Sequence, residues 1–275
     1  MSGRGRGVTF AGVVAGEWGK LTGLRSTWWA ALVSVVVSGA LTYVSAEASS
    51  GDPGYEPLGD LTAGLVLTQL GPLVLGVLVG TGEFSTGGFR SAFVAVPRRW
   101  LVPAAQAVAV AGFALPLAVG CVAAAVLAVF PAASSRGLPV DLGGGSVPWE
   151  LAGMVVFLTG LALFGFAVGA LVRRVVPALV AVCCLTLVLP VVLTLAVESG
   201  GAAFAGEVTP QERAANTVMT LLPSGAGGLL VMPSDALPVA GGPDLGAVGG
   251  GLVFAAWALV PFGAAVVRLR LRDVT

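Results

Sequence analysis

The chain has no histidine and a single lysine, Lys20, among its 275 residues. Without histidine there is no imidazole base, no His-assisted nucleophile and no His metal ligand. Its three cysteines, Cys121, Cys183 and Cys184, lie inside apolar runs and form no C-x-x-C pair. Neither a zinc site nor a disulfide framework is expected from that placement. Charge is scarce as well: charged residues make up 10% of the chain, against about 25% in soluble domains. Fourteen acids balance fourteen Lys and Arg residues, so no basic excess points to nucleic acid. So few charges cannot give a 27.3 kDa globule a polar surface. With 56% hydrophobic residues and a mean hydropathy of +0.97, the apolar side chains must meet lipid.

A phosphate-binding loop is also missing. Lys20 follows Gly19, but the earlier glycine of G-x-x-x-x-G-K-[ST] would fall at Val14, and Leu21 stands where Ser or Thr is needed. The chain is therefore expected neither to hydrolyse ATP nor to bind a cofactor or metal. No Asp/Glu relay lies within the apolar runs, which speaks against a proton- or sodium-coupled carrier.

A spanning helix needs roughly 20 apolar residues. Six runs qualify: Trp28–Ala46, Leu61–Thr81, Leu101–Phe130, Trp149–Val172, Val175–Val197 and Ala247–Val267. The third is longer than required and carries Pro116, and the fifth carries Pro190, so tilt or kinking is expected in both. The first run is too long for the apolar part of a signal peptide and is read as an uncleaved span.

Lys and Arg set the orientation. Arg4, Arg6, Lys20, Arg25, Arg90, Arg98, Arg99, Arg173, Arg174, Arg268, Arg270 and Arg272 fall on one side, leaving only Arg136 and Arg213 on the other. The positive-inside rule then predicts a multi-pass membrane protein with both termini in the cytoplasm. Eleven acids, among them Asp52, Asp60, Asp141, Glu150 and Glu212, fall on the outer side.

Three segments outside the spans are informative. Residues 8–26 place apolar side chains at roughly helical spacing, with Lys20 and Arg25 suited to headgroups and Trp18, Trp28 and Trp29 to the interface. This predicts an N-terminal helix lying on the inner membrane surface. Gly82–Trp100 is too polar to span and too apolar for a free loop. Gly87 and Gly88 allow a sharp turn, and Ser91 can cap a short helix from Ala92 to Val96 that ends before Pro97. Thr217–Met232, broken by Pro223 and several glycines, suits a re-entrant or interfacial element rather than a span.

Glu83-Phe84-Ser85-Thr86-Gly87-Gly88-Phe89-Arg90 resembles the E-[FY]-x-x-G-T-[IL]-R stretch that follows the second span of bacterial ABC type-2 transporter permeases. Gly88 replaces the usual Thr, and Phe89 the usual Ile or Leu. Ser91 to Arg99 resembles the S-x-x-x-x-x-P-R-R continuation of actinobacterial members. Glu17 to Thr27 is similar to the family's E-x-x-K-L-x-x-x-R-S-[TP], Leu222 to Gly227 to L-P-[SG]-x-A-[GS], and Arg270 to Val274 to R-R-D-[VA]. The resemblance runs the length of the chain, in order, as one permease domain over residues 1–275.

The resemblance implies an all-α membrane protein with six spans and both termini inside. It implies a cytoplasmic ABC ATPase subunit that carries ATP and Mg, a second permease copy or paralogue, and lipid as surroundings. Glu83, Phe84, Gly87, Arg90, Arg98 and Arg99 would form the coupling helix, with Arg173 and Arg174 as a second ATPase contact. Trp18, Lys20 and Arg25 would belong to the connecting helix, and Leu222, Pro223, Ser224 and Gly227 to an outer re-entrant cap. Export of a hydrophobic or amphipathic substrate is the implied function. The alternatives are a secondary carrier and a membrane enzyme or assembly factor using outer acids such as Glu150, Glu207 or Glu212.

Overall fold

The computed structural model describes residues 9–85, 100–199, 208–232 and 239–271. Among these the regular structure is helical and there are no strands. The elements are α1 (Phe10–Gly23), α2 (Arg25–Ser49), α3 (Asp60–Ala63), α4 (Leu65–Thr68), α5 (Leu70–Ser85), α6 (Leu101–Ser135), α7 (Val147–Val172), α8 (Val175–Cys183), α9 (Leu189–Ser199), α10 (Pro210–Leu221), α11 (Pro223–Gly228) and α12 (Gly246–Leu271). Six helical stretches are long and apolar enough to cross a membrane: α2, Pro57–Gly82, α6, α7, α8 continuing into α9, and α12. The chain has the architecture of a multi-pass integral membrane protein.

α2 shows how lipid inverts the usual pattern. Its buried residues are Thr27, Ser34, Ser38, Thr42 and Ala46, while Trp28, Trp29, Leu32, Val33, Val36 and Val44 face outward. Lipid tails solvate Leu and Val as well as a protein interior does, so small and polar residues are the ones that gain by packing helix on helix. The Ser38 hydroxyl donates to the Cys121 carbonyl of α6 at 2.9 Å.

The second span is not the continuous helix its composition suggests. It starts as a 3₁₀ turn, Pro57–Gly59, and proceeds through α3 and α4 before α5 runs unbroken. Gly64 interrupts it where the chain presses on α2: a Cβ there would stand 3.5 Å from the Thr42 Cβ and overlap its hydroxyl. Side chains compete for the backbone at the same place. Thr68 donates to the Gly64 carbonyl at 2.9 Å, and Gln69 to the Val66 carbonyl at 2.8 Å.

α6 stays helical through Pro116 and Pro131. At about 1.5 Å per residue its length exceeds a ~30 Å hydrocarbon core, so it tilts or projects. The fifth span holds a π-helical stretch, Cys184–Val188, between α8 and α9. Pro190, in the first turn of α9, supplies no N–H to the ladder, and the wider register lies just before it.

α5, α6 and α7 form the centre. Within the apolar stretch of α7, 61% is buried inside the chain, against 11% for α8–α9 and 17% for α12. α5 and α7 meet through glycine on both sides. A Cβ on Gly76 would stand 2.8 Å from the Phe166 nitrogen, one on Gly80 2.9 Å from the Ala170 nitrogen, and one on Gly169 2.8 Å from the Val77 oxygen. Gly76 and Gly80 of α5 form one G-x-x-x-G pair and Gly165 and Gly169 of α7 another, and the two pairs pack helix against helix within one chain. Around this seam pack Leu73, Val77, Phe113, Leu158, Leu161 and Phe164.

Candidate functional site

α1 begins at Thr9, whose hydroxyl accepts from the Gly12 N–H at 3.3 Å, and ends where Leu24 turns extended. It lies against α6. The Trp18 ring approaches Gly112, where a Cβ would be 3.1 Å from its Cζ3, and its centroid stands 6.4 Å from that of Phe113. Trp28 meets the same Phe113 edge-on at 5.6 Å and donates its indole N–H to the Thr22 carbonyl at 2.9 Å. Trp18 and Trp28 are thereby held by protein on one side while staying exposed on the other.

Glu17 faces inward from α1 and is only 8% exposed. Lys20 donates to its Oε1 at 2.7 Å, and Gln106 of α6 donates to its Oε2 at 3.2 Å. A carboxylate in such a place is tolerable only when paired and hydrogen-bonded, and each of its oxygens has a partner. The three polar groups help line a cavity of about 310 Å³, together with Leu21, Leu24, Ala30, Leu75, Leu78 and Val79. The cavity reaches Gly82, so it lies where α5 approaches Glu83 and Phe84. Arg25 opens α2 and is exposed.

Glu83 and Phe84 belong to the last turn of α5. Gly87, Arg90, Arg98 and Arg99, together with the expected short helix from Ala92 to Val96, lie outside the described residues. Arg173 closes α7 in the left-handed conformation, φ 64°, with its N–H on the Gly169 carbonyl at 2.8 Å. A non-glycine residue there carries a backbone cost of about 1–3 kcal/mol. Arg174 is extended and leads into α8. Arg268 of α12 reaches across to donate to the Leu171 carbonyl at 2.6 Å, placing a cation at the negative end of the α7 dipole.

At the other end of the bundle, α10 starts with a reciprocal cap between Thr209 and Glu212. α11 follows after the extended Leu222, and both Leu222 and Pro223 are buried. Gly227 abuts the rings of Phe157 and Phe254, Gly153 of α7 abuts the Leu230 carbonyl group, and a Cβ on Gly250 of α12 would lie 2.7 Å from the Ala226 oxygen. Ser224 is half-buried on the first turn of α11. The Trp257 indole donates to the Leu221 carbonyl at 2.8 Å. α11 is thus wedged between α7 and α12.

The structure therefore brings together Trp18, Lys20 and the end of α5 on one side, and Leu222, Pro223 and Gly227 with α7 and α12 on another. Sequence reasoning missed Gln106 and Arg268 as partners. Gln106 did leave a signal, being the one amide side chain in the long run Leu101–Phe130. No protein-family model matches the chain, and no curated protein matches it.

Proposed function

We propose that this chain is the membrane-spanning permease subunit of an ABC transporter of the type-2 class, acting with a separate cytoplasmic ATPase that holds ATP and Mg. The observation that carries the reading is the anchoring of α1. A helix preceding the first span is fixed to α6 by the Glu17–Gln106 hydrogen bond and the Trp18–Phe113 contact, beside the end of α5. Force applied to residues 83–99 would reach a braced element rather than a free tail. Arg173 and Arg174, at the junction of α7 and α8, offer a second contact for the same partner.

On this reading both termini are cytoplasmic, two permease chains pair, and the cargo is hydrophobic or amphipathic and is exported. The sparsely buried outer faces of α8–α9 and α12 leave room for a second copy as well as lipid. The chain supplies no phosphate loop, so ATP hydrolysis belongs to the partner. The test is affinity purification from the native membrane, followed by identification of co-purifying chains and measurement of ATP hydrolysis. A P-loop ATPase present in stoichiometric amount is the expected result. Substrate movement by the chain alone in vesicles, without any ATPase, would overturn the proposal.

A further inference from the structure

The cavity between α1, α2, α5 and α6 is lined by polar groups that the chain does not satisfy. Thr27 lines it and is 9% exposed. Thr68, Thr81, Thr159 and Thr186 each donate to the carbonyl four residues back. Thr27 is the third residue of α2, and the residue four back belongs to α1, beyond the extended Leu24. Its hydroxyl makes no hydrogen bond among the described residues. Gln106, 8% exposed, donates one N–H to Glu17 at 3.2 Å, while its carbonyl oxygen and second N–H make no further bond among the described residues. A nine-tenths buried hydroxyl without a partner, beside half an amide in the same state, points to a group that enters from outside the chain.

We propose that this cavity binds a neutral amphiphile bearing a hydroxyl group, the hydroxyl meeting Thr27 and Gln106 and the apolar chain lying against Leu21, Leu75 and Val79. Its volume is about 310 Å³. Small-molecule sites span roughly 300–1,000 Å³ and combine apolar walls with a few fixed polar groups. Leu24 and Leu78, also in the lining, are 57% and 48% exposed. The cavity is therefore open at the outer face of α5, a span, and a molecule dissolved in the bilayer can enter it sideways.

Charge selects a neutral head. Glu17 and Lys20 are the only charged residues in the lining, and they pair at 2.7 Å. A carboxylate or phosphate head would sit beside the buried Glu17 carboxylate. An ammonium head would compete with Lys20 for the same oxygens, and a buried ion needs a counter-ion of its own. A plain alkane would leave Thr27 and Gln106 as they are, unsatisfied. A hydroxyl both donates and accepts, so it can give its proton to the Gln106 carbonyl and accept from Thr27. The site stands on these groups and does not depend on the transport reading.

The test uses the full-length protein in phosphatidylcholine bilayers and a decanol carrying a diazirine on its chain. After illumination, saturable labelling is expected on the peptides holding Leu21, Leu24, Leu75 and Leu78. Unlabelled decanol should compete, and decane, decanoate and decylammonium at equal bilayer mole fraction should compete less. Thr27→Val keeps the shape and breaks no internal hydrogen bond, so it should fold normally and weaken binding roughly 3- to 10-fold. Gly82 lines the cavity and a Cβ there meets no atom within 4 Å, so Gly82→Leu has room and should reduce labelling by obstruction. Unfolding midpoints verify that both variants are folded. The amphiphile has two sources, a resident membrane lipid or a molecule that visits the site. Solvent extraction of protein purified from its native membrane separates them: a hydroxyl lipid retained by the wild type and depleted in Thr27→Val is resident, whereas probe binding with no such lipid marks a visitor. Diffuse labelling that does not saturate, affinity unchanged by Thr27→Val, equal competition by decane, or stronger competition by either charged analogue would each overturn the assignment.

Discussion

Gln106 donates to Glu17 at 3.2 Å across 89 positions of sequence, and this contact ties the first helix to the third span. The amide meets one carboxylate oxygen while Lys20 meets the other. Removing either partner leaves part of a buried charge without company, which is costlier than the bond itself is favourable.

Gln106→Leu is therefore expected to destabilise the purified protein by about 1–3 kcal/mol. Glu17→Gln with Gln106→Leu should cost less than the sum of the two single changes, because the first removes the charge that the second strands. Unfolding midpoints of the four proteins measure the coupling. Strict additivity would show that α1 is held by its tryptophans alone.

The glycine seam between α5 and α7 makes a second prediction. Gly76→Ala and Gly165→Ala each force a Cβ into the facing helix backbone and should destabilise by about 1–3 kcal/mol. Gly263→Ala, on α12 in open space, should change stability by less than about 0.5 kcal/mol. Thermal unfolding in detergent checks all three.

Topology is testable by labelling. In a background lacking Cys121, Cys183 and Cys184, an impermeant thiol reagent applied to intact cells is expected to modify cysteines placed at Asp52 and Asp141 but not one at Arg174. Labelling of the Arg174 position from outside would reverse the map and remove the ATPase contact with it.

Tyr55 gives a pH dependence with a definite sign. Its pKa lies above the 10.0 of an unperturbed phenol, so in alkaline solution the folded chain keeps a proton that the unfolded chain has lost. The stability it contributes is complete below pH 10 and declines as the pH rises toward the folded value. In a Tyr43→Phe background, the phenolate absorbance should appear at higher pH in the native protein than after denaturation, and Tyr55→Phe should abolish it.

If the chain is the proposed permease, Glu83→Ala should reduce ATP hydrolysis by the complex reconstituted with its ATPase several-fold while membrane insertion stays normal, since one residue at the end of α5 does not decide six spans. Full hydrolysis at normal expression would exclude Glu83 from transmission and shift attention to Arg98 and Arg99.

The six spans were legible because length and apolarity alone define them, and each observed helix covers its expected run with a few further residues at the ends. The breaks before α5 were not, because Gly64 interrupts the helix only by virtue of Thr42 on another helix. Both G-x-x-x-G motifs were visible, but a motif does not name the surface it meets, and here each meets the other. The π stretch at Cys184–Val188 left no mark in composition. Asp60 looked like one of many outer acids. It is buried and accepts from Ser45 and Ser49, which a hydropathy count treats as neutral filler.

The interlocked glycines of α5 and α7 have a mechanical consequence. Helices whose backbones touch through Gly76, Gly80, Gly165 and Gly169 cannot slip by a fraction of a turn without collision. The pair behaves as a single push-rod. On the permease reading, a displacement delivered at the end of α5 would be carried along α7 to Gly153 and Phe157, where Leu230 and Gly227 rest. Compliance must reside elsewhere, in the loosely packed fifth span with its widened turn and proline. On that reading one half of the molecule would transmit travel and the other absorb it.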